Sequence, residues 1–257
     1  MKKKIVAGGP FFTEEYESFT EIDHFVLNEA EITLPEFISD LQNKRAKRVY
    51  RTDKFADLSK TPIPDYSLLK KSKYNSLNIQ YTRGCPFSCD FCNITSLLGK
   101  KVRSKSSSQI INELEQIYKT GWQKDVFFVD DNFIGNKKVI KNDLLPKMIK
   151  WMEEKNHPFT FTTEASVNLA DDHELMDLMV KAGFSTVFVG IETTNEQSLA
   201  ECGKTQNKNR DLLESVAIIH RAGLQVMGGF IVGFDSDGPS IFQRQIDFIQ
   251  KSGIVTA

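Results

Sequence analysis

The chain has 257 residues, with 33 basic and 34 acidic side chains and a formal net charge of −1. Its 40% hydrophobic and 26% charged residues are ordinary for a globular protein and exclude wholesale disorder. The near-neutral charge gives no general electrostatic reason to bind nucleic acid or an anionic membrane. Apolar stretches such as residues 126–129 are much shorter than the ~20 residues that cross a bilayer, so we predict no transmembrane segment.

The first predicted element is a strand over residues 3–7. It ends in Gly8-Gly9-Pro10, which predicts a turn because glycine tolerates positive φ. A second strand is predicted over residues 22–27. A helix follows over residues 31–41, with Pro35 in its first turn.

The stretch after this helix is basic and poorly patterned up to residue 54. Pro62 and Pro64 cannot both lie in a helix interior, because proline removes a backbone donor and clashes with the preceding turn. We therefore predict an N-terminal unit over residues 1–52, a linker over residues 53–75 and a larger unit over residues 76–257.

Strands and helices alternate along the larger unit. The predicted strands cover residues 77–81, 125–129, 159–163, 186–191 and 224–232, with a sixth beginning at residues 254–255. The predicted helices cover residues 107–118, 138–155, 171–182, 209–222 and 239–251. This alternation implies a parallel sheet with right-handed crossovers. The predicted fold class is therefore α/β, a partial TIM-like (β/α)6 barrel with its chemistry at the carboxyl ends of the strands. Because the chain stops as the sixth strand starts, we expect a truncated barrel.

Three of the four cysteines, Cys85, Cys89 and Cys92, lie within eight residues after the first barrel strand. Such crowding indicates a metal site in a reducing compartment, so we predict a cytoplasmic protein. A zinc site normally needs four nitrogen or sulfur ligands, and the sequence places no fourth one nearby. Three thiolates suit a four-iron cubane, because each binds one iron and the fourth iron stays open. Zinc, or thiols that are close by coincidence, is the alternative.

This Cys-x3-Cys-x2-Cys pattern after the first barrel strand resembles the radical S-adenosylmethionine (SAM) superfamily. The resemblance implies a 4Fe–4S cluster that binds SAM at its open iron and cleaves it reductively to methionine and a 5′-deoxyadenosyl radical. That radical abstracts hydrogen from an unactivated carbon. The resemblance also implies an electron donor such as flavodoxin or ferredoxin and a small-molecule or lipid-like substrate, with nucleic acid disfavoured by the charge. It implies that Phe91 packs near the adenine, and a loop aromatic on the barrel rim is the alternative.

Polar residues at the other strand ends extend the resemblance. Asp130, Asp131 and Asn132 follow the second strand, where family members bind the methionine amino group. A carboxylate is a charge-assisted acceptor for that ammonium, and helix capping is the alternative. Glu164 and Glu192 end the third and fourth strands, and we expect both to face the mouth of the barrel. The resemblance implies Glu192 near the ribose hydroxyls and Glu164 along the SAM or substrate cavity, with salt bridges across the rim as the alternative.

Three glycines at the fifth strand, Gly228, Gly229 and Gly233, resemble the adenine-side Gly-x-Ile-x-Gly motif of the family. Glycine lets a flat base approach the backbone, whereas relief of packing is the alternative. Arg103 lies in a basic run and is predicted either to reach a carboxylate or phosphate or to be solvated. The sequence assigns no role to Cys202.

The paired glycines near residue 8, with the strand and helix that follow, resemble the tail of a Rossmann-like cobalamin-binding domain. Only a remnant of such a domain is present, so the prediction is of cobalamin binding by the full-length protein, with a generic adaptor as the alternative. Cobalamin would favour methyl transfer to carbon over ring rearrangement or methylthiolation. Two other functions stay open: an iron–sulfur or zinc protein that transfers electrons or senses redox state without SAM chemistry, and nucleic-acid modification.

Overall fold

Two parallel sheets organise residues 3–257, the part of the chain that this computed structural model describes. The first sheet belongs to the N-terminal unit and has its strands in chain order. The strands are β1 (Val6–Gly8), β2 (His24–Val26) and β3 (Val49–Tyr50). The helices of this unit are α1 (Pro10–Glu15) and α2 (Ala30–Gln42).

The N-terminal unit differs from the prediction in three details. Helix α1 follows Gly9 directly, because Gly9 has a φ of 92° and Pro10 is well suited to a first helical position. Strand β3 has two residues and lies in the basic stretch, which has no hydrophobic periodicity that would predict a strand. Pro35 lies inside α2 rather than in its first turn, because the helix begins at Ala30 after the extended residue Glu29.

The second sheet contains the five strands predicted for the larger unit, with boundaries shifted by at most two residues. Its strands in chain order are β4 (Ser76–Ile79), β7 (Asp125–Phe128), β8 (Thr160–Glu164), β9 (Phe184–Glu192) and β10 (Gln225–Phe230). Between β4 and β7 the chain forms a separate antiparallel pair of short strands, β5 (Thr82–Arg83) and β6 (Arg103–Ser104). The sheet order is β10-β9-β8-β7-β4, and every neighbouring pair in it is parallel. A parallel bridge from Met227 to Thr256 marks the predicted sixth strand. Within residues 3–257 the sheet stays open, so the α/β class is confirmed but closure of the barrel is not.

Helices cross over between these strands. They are α3 (Ile94–Leu98), α4 (Ser107–Lys119), α5 (Lys137–Val139), α6 (Leu145–Glu154), α7 (His173–Ala182), α8 (Glu196–Glu201), α9 (Leu212–Arg221) and α10 (Ile241–Ser252). The single helix predicted over residues 138–155 is interrupted by a wide π turn at Ile140–Leu144, just before Pro146, whose ring cannot donate to the preceding turn. None of the helices between residues 3 and 257 has both the length and the apolar character needed to cross a bilayer.

The predicted linker has three short 3₁₀ turns between residues 53 and 75 and no strand or α-helix in that range. Its side chains Ala56, Leu58 and Tyr66 are buried. The Tyr66 hydroxyl donates to the Asn78 carbonyl of β4 at 3.0 Å. Tyr66 therefore joins this segment to the core of the larger unit.

Candidate active site

A cavity of about 260 Å³ lies at the carboxyl ends of β7, β8 and β9. The cysteine loop, residues 84–102 between β5 and β6, lines one side of it. Cys85, Cys89, Cys92 and Phe91 all contribute to that side. The structure therefore brings the three predicted thiols to one cavity. The polar residues that line the cavity are Asp131, Asn132, Glu164, Ser166, Glu192, Lys204 and Gln206.

Backbone contacts hold the cysteine loop in place. The Cys85 amide donates to the Gly99 carbonyl at 3.2 Å, which closes the loop at its base. Gly84 has a φ of 95°, and a Cβ there would lie 2.8 Å from the Gly99 carbonyl oxygen, so the tight base requires glycine. On the opposite side, the Asp90 amide donates to the Cys202 carbonyl at 2.9 Å. Cys202 is itself buried and contributes this contact through its backbone.

The chemistry of the three thiols suits a metal cluster. Burial raises the pKa of Cys85 and Cys89, so the thiolates need a positive group beside them, which a metal supplies. Among residues 3–257, no three or more His, Cys, Asp and Glu side chains converge on a single ion. A cubane does not require such convergence, because each thiolate binds a different iron.

Asp130, Asp131 and Asn132, which follow β7 after Val129, occupy different environments. Asp130 is fully buried, and its carboxylate accepts hydrogen bonds from the backbone amides of Tyr81 and Thr82, the first at 3.1 Å. Burial raises the pKa of Asp130 to about 7. Asn132 Oδ1 accepts from the Ser166 amide at 3.2 Å. Neither side chain caps the 3₁₀ turn that follows, so the capping alternative is not what this structure shows.

Asp131 and Glu164 face the cavity together. Burial raises the pKa of both carboxyl groups, and Asp131 adds a like-charge contribution to the rise at Glu164. Asp131 Oδ2 is buried and has no hydrogen-bond partner in the described residues. An orphaned carboxylate oxygen that lines a cavity is costly unless a ligand with hydrogen-bond donors occupies that cavity.

Glu192 pairs with Lys204, a residue that the sequence analysis did not identify. The Lys204 ammonium donates to Glu192 Oε1 at 2.6 Å, and both side chains are about nine-tenths buried. Glu192 has a φ of 64°, and a Cβ on Gly190 would collide with its carboxylate. The same ammonium lies 5.7 Å from the centroid of the Phe91 ring. The salt-bridge alternative for Glu192 thus holds in this structure, at a position that also lines the cavity.

Residues 79–249, about two thirds of the chain, match the Radical SAM superfamily. The chain belongs to this superfamily. Membership implies a 4Fe–4S cluster, SAM, a reductant and a substrate, and it confirms the resemblance on the cysteine motif.

Two curated relatives align with nearly the whole of this radical SAM chain. An uncharacterized methyltransferase of Synechocystis sp. is 46% identical over 257 residues, which are 99% of this chain and 48% of that protein. The hopanoid C-2 methylase of Rhodopseudomonas palustris is 36% identical over 97% of this chain and 48% of its own length. The chain thus spans about half the length of these curated relatives.

A solved structure has the same fold. It is the radical SAM methyltransferase TsrM from Kitasatospora setae, with cobalamin and a [4Fe–4S] cluster bound. It matches with a TM-score of 0.76 at 16% identity, over 98% of this chain and 55% of its own. This likeness shows an α/β fold with parallel sheets over nearly the whole chain.

The three predicted glycines are not among the residues that line the cavity, although Gly229 packs against the lining residue Phe188. A Cβ on Gly229 would lie 2.7 Å from the Phe188 ring, and one on Gly228 would lie 2.8 Å from the Phe230 ring. In the described structure these two glycines make room for aromatic side chains of the chain itself, as the packing alternative has it. Nothing lies within 4 Å of a Cβ on Gly233. Their role beside adenine stays a prediction.

Sequence reasoning missed Lys204, Gln206 and Ser166. Lys204 and Gln206 follow the α8 helix, and Gln206 Nε2 lies 3.9 Å from Cys89 Sγ. The available signal is position, because loops that follow parallel strands carry functional groups. Lys204 and Gln206 reach the cavity because the chain turns at Gly203, which has a φ of 68°.

Proposed function

We propose that the protein is a radical SAM enzyme in which Cys85, Cys89 and Cys92 bind the 4Fe–4S cluster. The observation that carries this proposal is that all three thiols line one cavity with the polar ends of β7, β8 and β9. When bound and reduced, the cluster supplies the electron that cleaves SAM and starts radical chemistry on an unactivated carbon. The chain's own residues then have to bind SAM, orient it and exclude water from it.

The charged groups of SAM match the charged groups of the cavity. Lys204 is the cation among the lining residues and supplies a partner for the methionine carboxylate. Asp131 and Glu164 supply acceptors for the amino group and the sulfonium charge, and a bound cation would lower the raised pKa of each. Glu192, held by Lys204, faces the ribose hydroxyls in this arrangement, and Phe91 packs against the adenine.

We further propose that the full-length protein is a cobalamin-dependent methyltransferase. Two of the relatives described above are named as a methyltransferase and a methylase, and TsrM holds cobalamin. The parallel sheet of β1, β2 and β3 supports the proposal that residues 1–52 are a remnant of a cobalamin-binding unit. A flavodoxin or ferredoxin as reductant and a small-molecule or lipid-like substrate complete this proposal.

The four cysteines allow a matched test of the ligand set. Cys89→Ala and Cys202→Ala each remove one thiol, but only the first thiol lines the cavity. After anaerobic reconstitution with iron and sulfide, we expect Cys89→Ala to lose cluster absorbance and to lower 5′-deoxyadenosine formation at least ~100-fold. Cys202→Ala should load iron as the parent chain does. An active, iron-free Cys89→Ala protein, or equal losses in both variants, would contradict the proposal.

A further inference from the structure

The cysteine loop joins the rest of the chain through β5 and β6, where Arg83 lies directly opposite Arg103. Like charges that face each other across an antiparallel pair repel one another. Both guanidinium groups are mostly buried, with side-chain exposures of 15% and 16%. The base of the loop therefore needs compensating negative charge.

Two carboxylates of the N-terminal unit supply that charge. Glu29 Oε1 and Oε2 accept hydrogen bonds from the two Nη atoms of Arg103 at 2.6 and 3.1 Å. Glu31 accepts from both Nη atoms of Arg83 at 2.7 and 3.1 Å. Paired hydrogen bonds of this kind are among the strongest that proteins form. Glu29 also lies 3.7 Å from Arg83, so its carboxylate contacts both arginines.

Arg103 connects three parts of the chain. Besides Glu29, its guanidinium donates to the Leu98 carbonyl of the cysteine loop and to the Ala56 carbonyl of the linker, each at 3.0 Å. The guanidinium also stacks on the Phe55 ring, 4.8 Å from the ring centroid. The Ala56 amide in turn donates to Glu29 Oε2. The side chain of Glu29 is only 3% exposed, so water does not replace these partners.

We propose that Glu29, acting through Arg103, is a positioning residue that fixes the cysteine loop and with it the three thiols. The N-terminal unit is thereby part of the cluster site, although it supplies no ligand. The consequence for catalysis rests on the proposed function, whereas the placement of the loop does not require a cluster. Without the Glu29 charge, two buried arginines would face each other with one compensating carboxylate, which is strongly unfavourable.

Hydrogen exchange of the full chain without metal tests this directly. Glu29→Gln preserves the shape of the side chain and one acceptor oxygen but removes the charge. We expect amide exchange in residues 84–102 to rise by about tenfold or more, while exchange in β7, β8 and β9 stays within about twofold. Glu36→Gln is the control, because Glu36 lies on α2, the helix that Glu29 precedes, in an ion pair with Lys47 that is more than half exposed.

Two further measurements complete the test. If Glu29→Gln does not fold, Arg103→Lys serves as the test variant in its place. It retains the charge but loses the paired hydrogen bonds, so we expect amide exchange in residues 84–102 to rise by a smaller factor. After reconstitution, Glu29→Gln should change the electron paramagnetic resonance spectrum of the reduced cluster and weaken SAM binding about tenfold, and Glu36→Gln should do neither.

The inference is overturned if loop exchange in Glu29→Gln matches the parent chain, or if exchange rises equally throughout the molecule. A parent chain that binds no cluster would overturn the proposed function and leave the exchange result standing. The two proposals therefore fail in different experiments.

Discussion

The cysteine loop and the strand ends that face it line one cavity but are held in place by different means. Glu164 and Glu192 end strands of a parallel ladder, so neighbouring strands fix their backbone. The loop is joined to the molecule by two-residue strands and a few contacts from distant residues, such as that between Asp90 and Cys202. We infer that a change at a strand end alters one group, whereas a change at a loop contact alters all three thiols.

The largest effect is expected from Lys204→Met, which acts on the strand-end residue Glu192. This change removes the cavity cation and leaves the buried Glu192 carboxylate without its partner. We expect SAM to bind about 10- to 100-fold more weakly, measured by equilibrium dialysis on reconstituted protein. Iron content should stay within about twofold of the parent chain, because the loop keeps its contacts. Unchanged SAM affinity, or loss of the cluster, would contradict the inference that a change on this side leaves the three thiols in place.

A loop contact is tested by Gly203→Ala. Gly203 has a φ of 68°, and a Cβ there would lie 2.9 Å from the Ser88 carbonyl oxygen of the cysteine loop. The left-handed conformation alone costs alanine ~1–2 kcal/mol, so we expect cluster loading to fall roughly fivefold. Gly238→Ala is the matched control, because no atom lies within 4 Å of its added Cβ and its φ is not positive. Equal iron content in both variants would show that this contact does not hold the loop.

The last prediction concerns folding stability rather than ligand binding, and it involves Asp130, which connects β7 to the start of the loop through Tyr81 and Thr82. Its pKa is about 7 in the folded chain and near the ordinary 3.8 when unfolded. The folded state therefore binds more protons between about pH 4 and pH 7, and stability falls as the pH rises through that range. Asp130→Asn cannot titrate and should lose this dependence.

Urea unfolding of the parent chain and Asp130→Asn at pH 4, 5.5 and 7 measures the difference. We expect the variant to gain stability relative to the parent as the pH rises, by roughly 3 kcal/mol between pH 4 and pH 7. Parallel pH profiles would mean that Asp130 is ionised in both states.

The fold of the larger unit was largely predictable because its helices have apolar faces and its strands are buried apolar runs. The predicted start of α4 agrees with the capping box that Ser106 and Gln109 form, and the predicted end of α7 agrees with the left-handed residue Gly183. Strand β3 and helix α1 were not predictable, since two and six residues are too short to show a period.

The site was predictable only where the sequence places residues at a strand end or in a dense motif. The three thiols, Asp131 and Glu164 are examples. Lys204 was not predictable, because it reaches Glu192 through a turn at Gly203 that the local sequence does not specify. Arg103 was predicted to reach a carboxylate or phosphate or to be solvated, and the carboxylate it reaches lies 74 residues away in Glu29.

The most direct test of the central claim is the electron paramagnetic resonance spectrum of the reduced, reconstituted chain with and without SAM. If Cys85, Cys89 and Cys92 hold a cubane with one open iron, adding SAM should shift the spectrum and yield 5′-deoxyadenosine in the presence of a reductant. An identical spectrum on adding SAM would instead indicate an electron-transfer protein. Zinc bound in place of iron would contradict the account altogether.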